Sequence, residues 1–367
     1  MQLGDVFSEQ SLNVKTSSSR VEVDSQASGT ETKLVEAPKT ATTASQTDAG
    51  KISALTSVVV TQGAPEGLST SATAQSNSLT AEIAPSPAKT SIRQTVTASG
   101  AANAHLYVGT SGGPTRDVAA NATATGNTQT LSGSPASTTL TQSNSGATHA
   151  YLQANLCCVA GDATYSASAA ANEITLDGSD TGGSTVISQS RDTAPTDATV
   201  TGGQQSGSTV EVQSSADGNS ATLTPSNGPA PTQLNQSNNA NATALADFSA
   251  GSSDSQSNLS ADSSGNTATL STYSPASTSD LSQSNSGTVT ADVKFTNPTG
   301  GVGSGASMAT GDSASVQTCL GCNTSLSLSM TQSNTGAVRA SSGASGALGQ
   351  TSITAQATGN SLNVVTH

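Results

Sequence analysis

Apolar and polar residues alternate along this chain with a period of two. In Val289–Phe295 (VTADVKF) the odd-numbered positions are Val, Ala, Val and Phe, whereas Thr, Asp and Lys lie between them. The segments 219–223 and 266–270 alternate in the same way. Since successive side chains of a β-strand point to opposite faces, the pattern predicts strands with one buried face.

These alternating segments recur at a fixed spacing. One motif reads TLTQSNSGAT at 139–148, DLSQSNSGTV at 280–289 and SMTQSNTGAV at 329–338. Its marker glutamine recurs every 47 to 49 residues, at Gln46, Gln94, Gln142, Gln189, Gln236, Gln283 and Gln332. Periods of about 20–50 residues are typical of solenoids and other repeat architectures.

A second motif, GNSATL at 218–223 and GNTATL at 265–270, keeps the same period. Its marker positions are Asn77, Asn127, Asn172, Asn219, Asn266 and Asn360, with Asp312 filling the one gap and Thr30 extending the series toward the amino end. The two motifs together predict an all-β fold, a β-solenoid or parallel β-helix of about eight repeats. Residues 1–367 then form a single repetitive domain.

The period of two places each marker glutamine on the same face as the apolar residue two positions before it, such as Leu140 before Gln142. A buried amide is costly unless it is hydrogen-bonded. If each repeat lies above the last, identical amides form ladders in which each carboxamide donates to the next. The alternative is that the QSNSG and TGN segments are turns whose amides face water.

The sequence does not determine how many coils make up one repeat. We expect two coils per repeat, one carrying the Gln motif and one the Asn motif, with a single larger, many-sided coil as the alternative. At a strand spacing of about 4.8 Å, eight repeats give a rod of roughly 75 Å in the first case and about half that in the second.

Composition limits the class of protein. Only 32% of the residues are hydrophobic and 2% are aromatic, so no large globular core can form. The chain resembles a disordered stalk in its Ser, Thr, Ala, Gly and Asn bias, but only 10% of it is charged and the regular repeat favours folded strands. A net charge of −13 disfavours nucleic acid and anionic lipid as partners.

No apolar run is long enough for a transmembrane segment, since the longest, such as Val58–Val60, fall far short of about 20 residues. The opening segment MQLGDVFSEQ has no basic and apolar signal region. For an exported protein, either a leader has been removed or export uses another route, and we favour the removed leader.

The four cysteines form two groups, Cys157 with Cys158 and Cys319 with Cys322. More than three repeats separate the groups, too far for the limit of about 7 Å between the Cα atoms of a disulfide. Cys319 and Cys322 are expected to close a small loop. The adjacent pair forms a vicinal disulfide or bonds to another subunit. Zinc is the other interpretation of the CxxC spacing, without a second CxxC or a nearby His to support it.

Candidate chemistry is sparse. His105, His149 and His367 fall in unrelated parts of the repeat. The acidic segment 176–184, with Asp177 and Asp180, lacks the full calcium-loop pattern. No nucleophile elbow, phosphate loop or paired-carboxylate arrangement is present. We expect no enzyme activity, no cofactor and no metal site.

A ligand-binding solenoid is the alternative function. The pairs Thr123/Thr125, Thr222/Thr224 and Thr267/Thr269 are candidates for an outward ice-binding row, although their offsets from the marker Asn differ. A polysaccharide-binding face is a second version, limited by four Tyr and three Phe in the whole chain.

The strand Gln142-x-Asn144-x-Gly146 resembles the curli family of bacterial amyloid subunits, whose order is Gln-x-Gly-x-Asn and whose repeat is about half as long. In length, acidity, Ser/Thr/Ala/Asn repeats and scarce aromatics, the whole chain resembles the HfaD family of holdfast anchor proteins from stalked bacteria. That resemblance implies export by a curli-type system and assembly with partner anchor proteins at the outer membrane. There the protein would tether an adhesive polysaccharide to the cell.

The sequence thus predicts an extracellular structural or adhesive protein at the cell surface, an outer-membrane-associated anchor or fibre subunit. Expected partners are other copies of the chain, other anchor proteins and a polysaccharide. The segment 352–365 still has the repeat pattern, which favours stacking onto a neighbouring coil.

Overall fold

The computed structural model describes residues 2–15, 20–36, 41–61, 66–110, 115–157, 159–179, 184–226, 231–251, 256–272, 276–297, 302–318, 325–346 and 349–365. Within these ranges every regular element is a β-strand, and all strand pairings are parallel. The prediction of an all-β parallel solenoid is confirmed.

Eight strands of 9 or 10 residues form one sheet, in which chain order is also spatial order. They are β2 (Val6–Val14), β5 (Lys51–Val60), β7 (Ala101–Thr110), β9 (Ala147–Leu156), β12 (Thr196–Gln204), β15 (Ala242–Ala250), β18 (Val289–Asn297) and β21 (Val338–Gly346).

The other fourteen strands form a second sheet, which contains both sequence motifs. They are β1 (Gln2–Leu3), β3 (Val21–Glu36), β4 (Thr42–Asp48), β6 (Leu68–Val96), β8 (Val118–Asn144), β10 (Ala163–Ser179), β11 (Ser184–Arg191), β13 (Thr209–Ser226), β14 (Thr232–Asn238), β16 (Gln256–Thr272), β17 (Ala276–Asn285), β19 (Val302–Thr318), β20 (Ser325–Asn334) and β22 (Thr351–Val365). The Asn motif lies on long strands such as β10 and the Gln motif on short strands such as β11, while β6 and β8 carry both.

One repeat makes one coil. Gln142 is the register partner of Gln189, which is the partner of Gln236, so the chain returns to the same column after 47 residues. The expectation of two coils per repeat is wrong, and the single many-sided coil is the observed arrangement. Eight coils at about 4.8 Å give a stack of roughly 35–40 Å.

The length of the Asn-motif strand explains why one repeat makes a single coil. β10 has 17 residues, roughly 55 Å at 3.3 Å per residue, and spans two shorter strands in turn. Its first half shares a large apolar cluster with the eight-stranded sheet, where Tyr165 and Val200 are buried. Its second half shares a smaller cluster with the Gln-motif strands, where Leu176 and Ile187 are buried. One turn of the chain therefore already encloses a core.

A column of small residues precedes the marker Asn on every long strand. Strand pairing skips this residue, as between Ala170/Asp217 and Asn172/Asn219, so that it and the Asn both turn inward. At Gly265 an added Cβ would lie 2.5 Å from the Gly311 carbonyl oxygen and 2.8 Å from the Asn285 side chain. The column is Gly29, Ser76, Gly126, Ala171, Gly218, Gly265, Gly311 and Gly359. Close approach of backbone and amide explains its small size.

Candidate functional site

The marker asparagines form a buried hydrogen-bonded ladder through the centre of the coils. Asn77, Asn127, Asn172, Asn219 and Asn266 are each 0% exposed. Each Nδ2 donates to the carboxyl or amide Oδ1 of the next coil, at distances of 2.7 to 2.9 Å. The same Nδ2 also donates to a backbone carbonyl on the facing Gln-motif strand, so the ladder joins the two layers.

The marker glutamines form a second ladder. Gln189 Nε2 donates to Gln142 Oε1 at 2.9 Å and to the Ser220 carbonyl oxygen of the facing long strand at 2.8 Å. The ladder runs without a break through Gln46, Gln94, Gln142, Gln189, Gln236, Gln283 and Gln332. Both amide protons are therefore used at each level, which offsets the cost of burying the group.

The two ladders have opposite polarity. Asn172 donates to Asn219, in the direction of the carboxyl terminus, whereas Gln189 donates to Gln142, in the direction of the amino terminus. The aligned amide dipoles of one ladder thus oppose those of the other. Hydrogen bonds in a chain polarise one another, so each ladder strengthens as coils are added.

A third, shorter ladder follows two residues after the marker Gln. Asn238 donates to Asn285 at 2.8 Å, and Asn285 donates to Asn334 at 2.7 Å. Arg191 occupies this column in the preceding coil. Its buried guanidinium donates from Nη2 to the Ala194 carbonyl oxygen, while Nε and Nη1 have no partner among the described residues. Burial lowers the pKa of Arg191 to about 9.

Asp312 is the one acidic member of the Asn ladder. Its Oδ1 accepts from Asn266 at 2.7 Å, and Asn360 Nδ2, with its amide turned to donate, lies 3.3 Å from Oδ2. A carboxylate is acceptor-only, so two donors converge on it and the direction of the ladder reverses at this coil. Burial raises the pKa of Asp312 to about 6, and the bond from Asn266 opposes that shift.

Of the four cysteines, Cys157 is the one that the structure describes. The Cys157 thiol lies 3.5 Å from Thr110 Oγ1, and Cys158, Cys319, Cys322 and His367 lie outside the described residues, as does Asp180. Thr222 and Thr269 are register partners, in a column that also contains Thr80, Thr130 and Thr175. Their neighbours Thr224 and Thr267 lie in two different columns, so the ice-binding row remains a prediction.

The structure does join two histidines that the sequence leaves apart. His105 on β7 lies opposite Tyr151 on β9, and His149 lies two residues before Tyr151 on the same outward face. Sequence spacing conceals this, because four residues connect β6 to β7 but only two connect β8 to β9. The motif-based alignment is therefore displaced by two residues on this sheet.

The described residues lack two features. They contain no group of three or more His, Cys, Asp or Glu side chains with the proximity that a metal ion requires. They also contain no helix of the length and apolarity needed to cross a bilayer.

The extended parallel stack and its three side-chain ladders define a structural β-solenoid in which buried amides recur from coil to coil. The chain belongs to the family of holdfast attachment protein D, HfaD, whose model matches residues 15–287 and, in a second match, 204–367. Neither a curated protein nor a solved structure matches the chain. Membership in this family assigns it a role in holdfast attachment at the cell surface.

Proposed function

We propose that this chain is an extracellular anchor, associated with the outer membrane, that tethers the adhesive holdfast polysaccharide to the cell and bears the resulting load. The observation that carries the proposal is the unbroken Gln ladder from Gln46 to Gln332, parallel to the stacking direction of the coils. It is supported by family membership.

The geometry suits a mechanical role. A pull along the stack must separate two neighbouring coils, and their contact includes backbone pairing in both sheets as well as the ladder bonds that join them. Between the coils of β10 and β13, for instance, the Asn172 to Asn219 bond acts beside sixteen paired positions. Many parallel bonds must then break together, which favours a high resistance to separation.

Self-association belongs to the same proposal. Every coil presents the same column pattern, so a coil of a second copy, or of another anchor protein with this repeat, matches an unpaired coil edge. In the coil of β20, β21 and β22 the inward-facing Leu362 and Val364 are 50% and 41% exposed. Filaments or oligomers in negative-stain images and size-exclusion profiles are the expected result, and a strict monomer at all concentrations would oppose it.

We further propose that the chain acts without catalysis, cofactor or metal. The recurrent buried groups are amides that are already committed to hydrogen bonds within the ladders. Such groups hold coils together and are not free to activate a substrate.

The test of the anchoring function is genetic. A strain lacking the chain is expected to make holdfast polysaccharide but to shed it into the medium under flow, because the link to the envelope is missing. Complementation with the full chain should restore attachment. Equal retention of the polysaccharide with and without the chain would contradict the proposal. A cytoplasmic location, measured by surface protease accessibility on intact cells, would contradict it independently.

A further inference from the structure

The outward face of two neighbouring strands, β7 and β9, differs from the rest of the solenoid. Two of the four tyrosines and two of the three histidines of the chain lie there. We name this surface the aromatic patch and define it by His105, Tyr107, His149 and Tyr151. Every one of these side chains is on the outward side of the period-two pattern and is partly or fully exposed.

The rings of the patch pack against one another and against the sheet. The centroids of His105 and Tyr151 are 5.9 Å apart, with the ring planes tilted by 46°. Tyr151 Oη lies 3.2 Å from Thr201 Oγ1 on the next strand. His149 Nδ1 lies 3.2 Å from Asp197 Oδ2. These contacts restrain the rings in one orientation.

Tyr107 lies along the sheet surface over Gly109. A Cβ added to Gly109 would come within 3.0 Å of the tyrosine hydroxyl and 3.2 Å of its ring. The missing side chain at Gly109 therefore lets the ring approach the backbone closely. Tyr107 is nevertheless partly exposed, so part of its ring remains accessible to a ligand.

Amides lie beside the rings, and a pocket opens near the carboxyl ends of these strands. Asn103, Gln153 and Asn155 share the outward face of the same two strands. Beyond Asn155, a pocket of about 400 Å³ opens between this residue, Gly203 and Ser249. That volume lies within the range of small-molecule sites, about 300–1,000 Å³. The surface thus combines aromatic platforms with hydrogen-bonding side chains.

The strands of the patch are uncharged in an acidic chain, although Asp197 of β12 lies beside His149 at the edge of the patch. β7 and β9 contain no Asp, Glu, Lys or Arg, although the whole chain has a net charge of −13. Burial, and secondarily the proximity of His149, lowers the pKa of His105, which favours its neutral form at neutral pH. A charged partner would therefore gain little electrostatic binding energy at this surface.

We propose that the aromatic patch binds a neutral polysaccharide chain, with pyranose rings stacked on Tyr107 and Tyr151 and hydroxyl groups bonded to the surrounding amides. The C–H face of a pyranose is apolar and complements the face of an aromatic ring. The two tyrosines are diagonal neighbours on adjacent strands, roughly 8 Å apart at their Cα atoms, so one extended glycan can reach both. The proposal rests on the anchoring function and assigns it a contact surface.

Other classes of partner fit less well. A stable protein partner needs about 800 Å² on each side and an apolar centre, whereas this patch has four rings within a polar setting. Nucleic acid binding needs clustered Lys and Arg, and these two strands have none.

Titration of the purified full chain with cellohexaose and chitohexaose tests the proposal, with hexagalacturonate as an acidic comparison. At least one neutral hexasaccharide is expected to bind, and hexagalacturonate is expected to bind more weakly. Tyr107→Ala and Tyr151→Ala should each weaken binding roughly tenfold, since each removes one stacked ring. Tyr151→Phe, which keeps the ring, should retain most of the affinity.

Met308→Ala is the matched control, because Met308 is 47% exposed on the other sheet and contributes apolar surface away from the patch. It should bind like the wild type. Unchanged circular dichroism spectra would show that the tyrosine variants remain folded. Failure of the wild type to bind either neutral sugar would overturn the proposal. Binding by both tyrosine variants at wild-type strength would also overturn it.

Different results would contradict the anchoring function and the role of the aromatic patch. If the anchoring function is correct and the patch is not its contact, cells with the double variant Tyr107→Ala/Tyr151→Ala will retain their holdfast as the wild type does. If the patch is correct, that strain will shed its holdfast while the Met308→Ala strain will not. If deletion of the whole chain leaves retention unchanged, the anchoring function itself is contradicted.

Discussion

At the scale of single residues, the central feature is a buried carboxamide whose two protons and one oxygen all have partners. Gln189 Nε2 donates to Gln142 and to the Ser220 carbonyl, and its Oε1 accepts from Gln236. Such a group is tolerated in a core only while its neighbours above and below are present. The energetic role of the amides is therefore collective.

Removing one amide from the middle of the ladder should be costly. Gln189→Leu keeps a similar volume but leaves Gln142 Oε1 without its donor and Gln236 Nε2 without one of its two acceptors. We expect the free energy of unfolding to fall by about 2–3 kcal/mol, measured from guanidinium midpoints. Ser188→Ala, on the outward side of the same strand, is the control and should change it by less than about 0.5 kcal/mol. Equal effects of the two changes would refute the ladder as a source of stability.

Asp312 should make stability depend on pH. Its pKa is raised in the folded state to about 6, so its contribution is complete below about pH 4 and is lost as the pH rises through about 6. Asp312→Asn removes this ionisation and lets the ladder continue from Asn266 to Asn360.

The variant Asp312→Asn should therefore match the wild type near pH 4 and exceed it in unfolding midpoint above pH 7. The difference between the two proteins is the relevant quantity, because burial also raises the pKa of Asp217 and Glu173. Parallel pH profiles for the two proteins would show that Asp312 does not titrate as proposed.

Arg191 is the weak position of the third ladder. Replacing it with the residue that the column otherwise favours, Arg191→Asn, removes a buried guanidinium with two unpartnered nitrogens and extends the ladder from Asn238. We expect a gain of about 1–3 kcal/mol in the free energy of unfolding. A loss of stability in the same denaturation experiment would show that the arginine is well accommodated.

The sequence predicts which amides face inward, since parity alone places Gln142 beside Leu140. It does not predict the direction of donation, because Asn and Gln have a donor and an acceptor at nearly the same place. The opposite polarity of the two ladders, and the reversal at Asp312, emerge only from the stacked geometry.

At the scale of strands, the small-residue column permits the long strand to turn two successive residues inward. Gly265→Ala should force its Cβ against the Gly311 carbonyl oxygen and lower the free energy of unfolding by about 1–3 kcal/mol. The control is Gly343→Ala on β21, where an added Cβ meets nothing within 4 Å. Thermal or guanidinium unfolding of both variants checks the expectation, and a neutral Gly265→Ala would contradict this role.

The lengths of the connections limit what the motifs predict about the eight-stranded sheet. Register on the eight-stranded sheet depends on how many residues separate it from the Gln motif, and this number varies. His105 and Tyr151 consequently become neighbours although they lie at different distances from their marker glutamines. A surface such as the aromatic patch can therefore be recognised only once the strand pairing is known.

At the scale of the whole molecule, the repeat period is evident in the sequence but the number of turns in each repeat is not. Both motifs have the same period, so they fit two small coils or two sides of one large coil equally well. Strand register decides between them, because Gln142 pairs directly with Gln189 and no Asn-motif strand lies between the two. The shared cluster of Leu176 and Ile187 agrees, since it joins the two motifs within one turn.

With one coil per repeat, residues 47 positions apart are expected to be nearest neighbours on adjacent coils. Ser190 and Ser237 are outward-facing register partners, and Ser284 occupies the same column one coil further on. With strands about 4.8 Å apart, the double variant Ser190→Cys/Ser237→Cys satisfies the Cα separation of a disulfide, whereas Ser190→Cys/Ser284→Cys, at roughly 9.6 Å, does not.

The most direct test is to oxidise both double variants as monomers and map their disulfides by mass spectrometry. An efficient bond between positions 190 and 237, with none between 190 and 284, is the predicted result. If positions 190 and 237 do not cross-link, or if both pairs cross-link equally, the arrangement of one coil per repeat is contradicted, and with it the amide ladders.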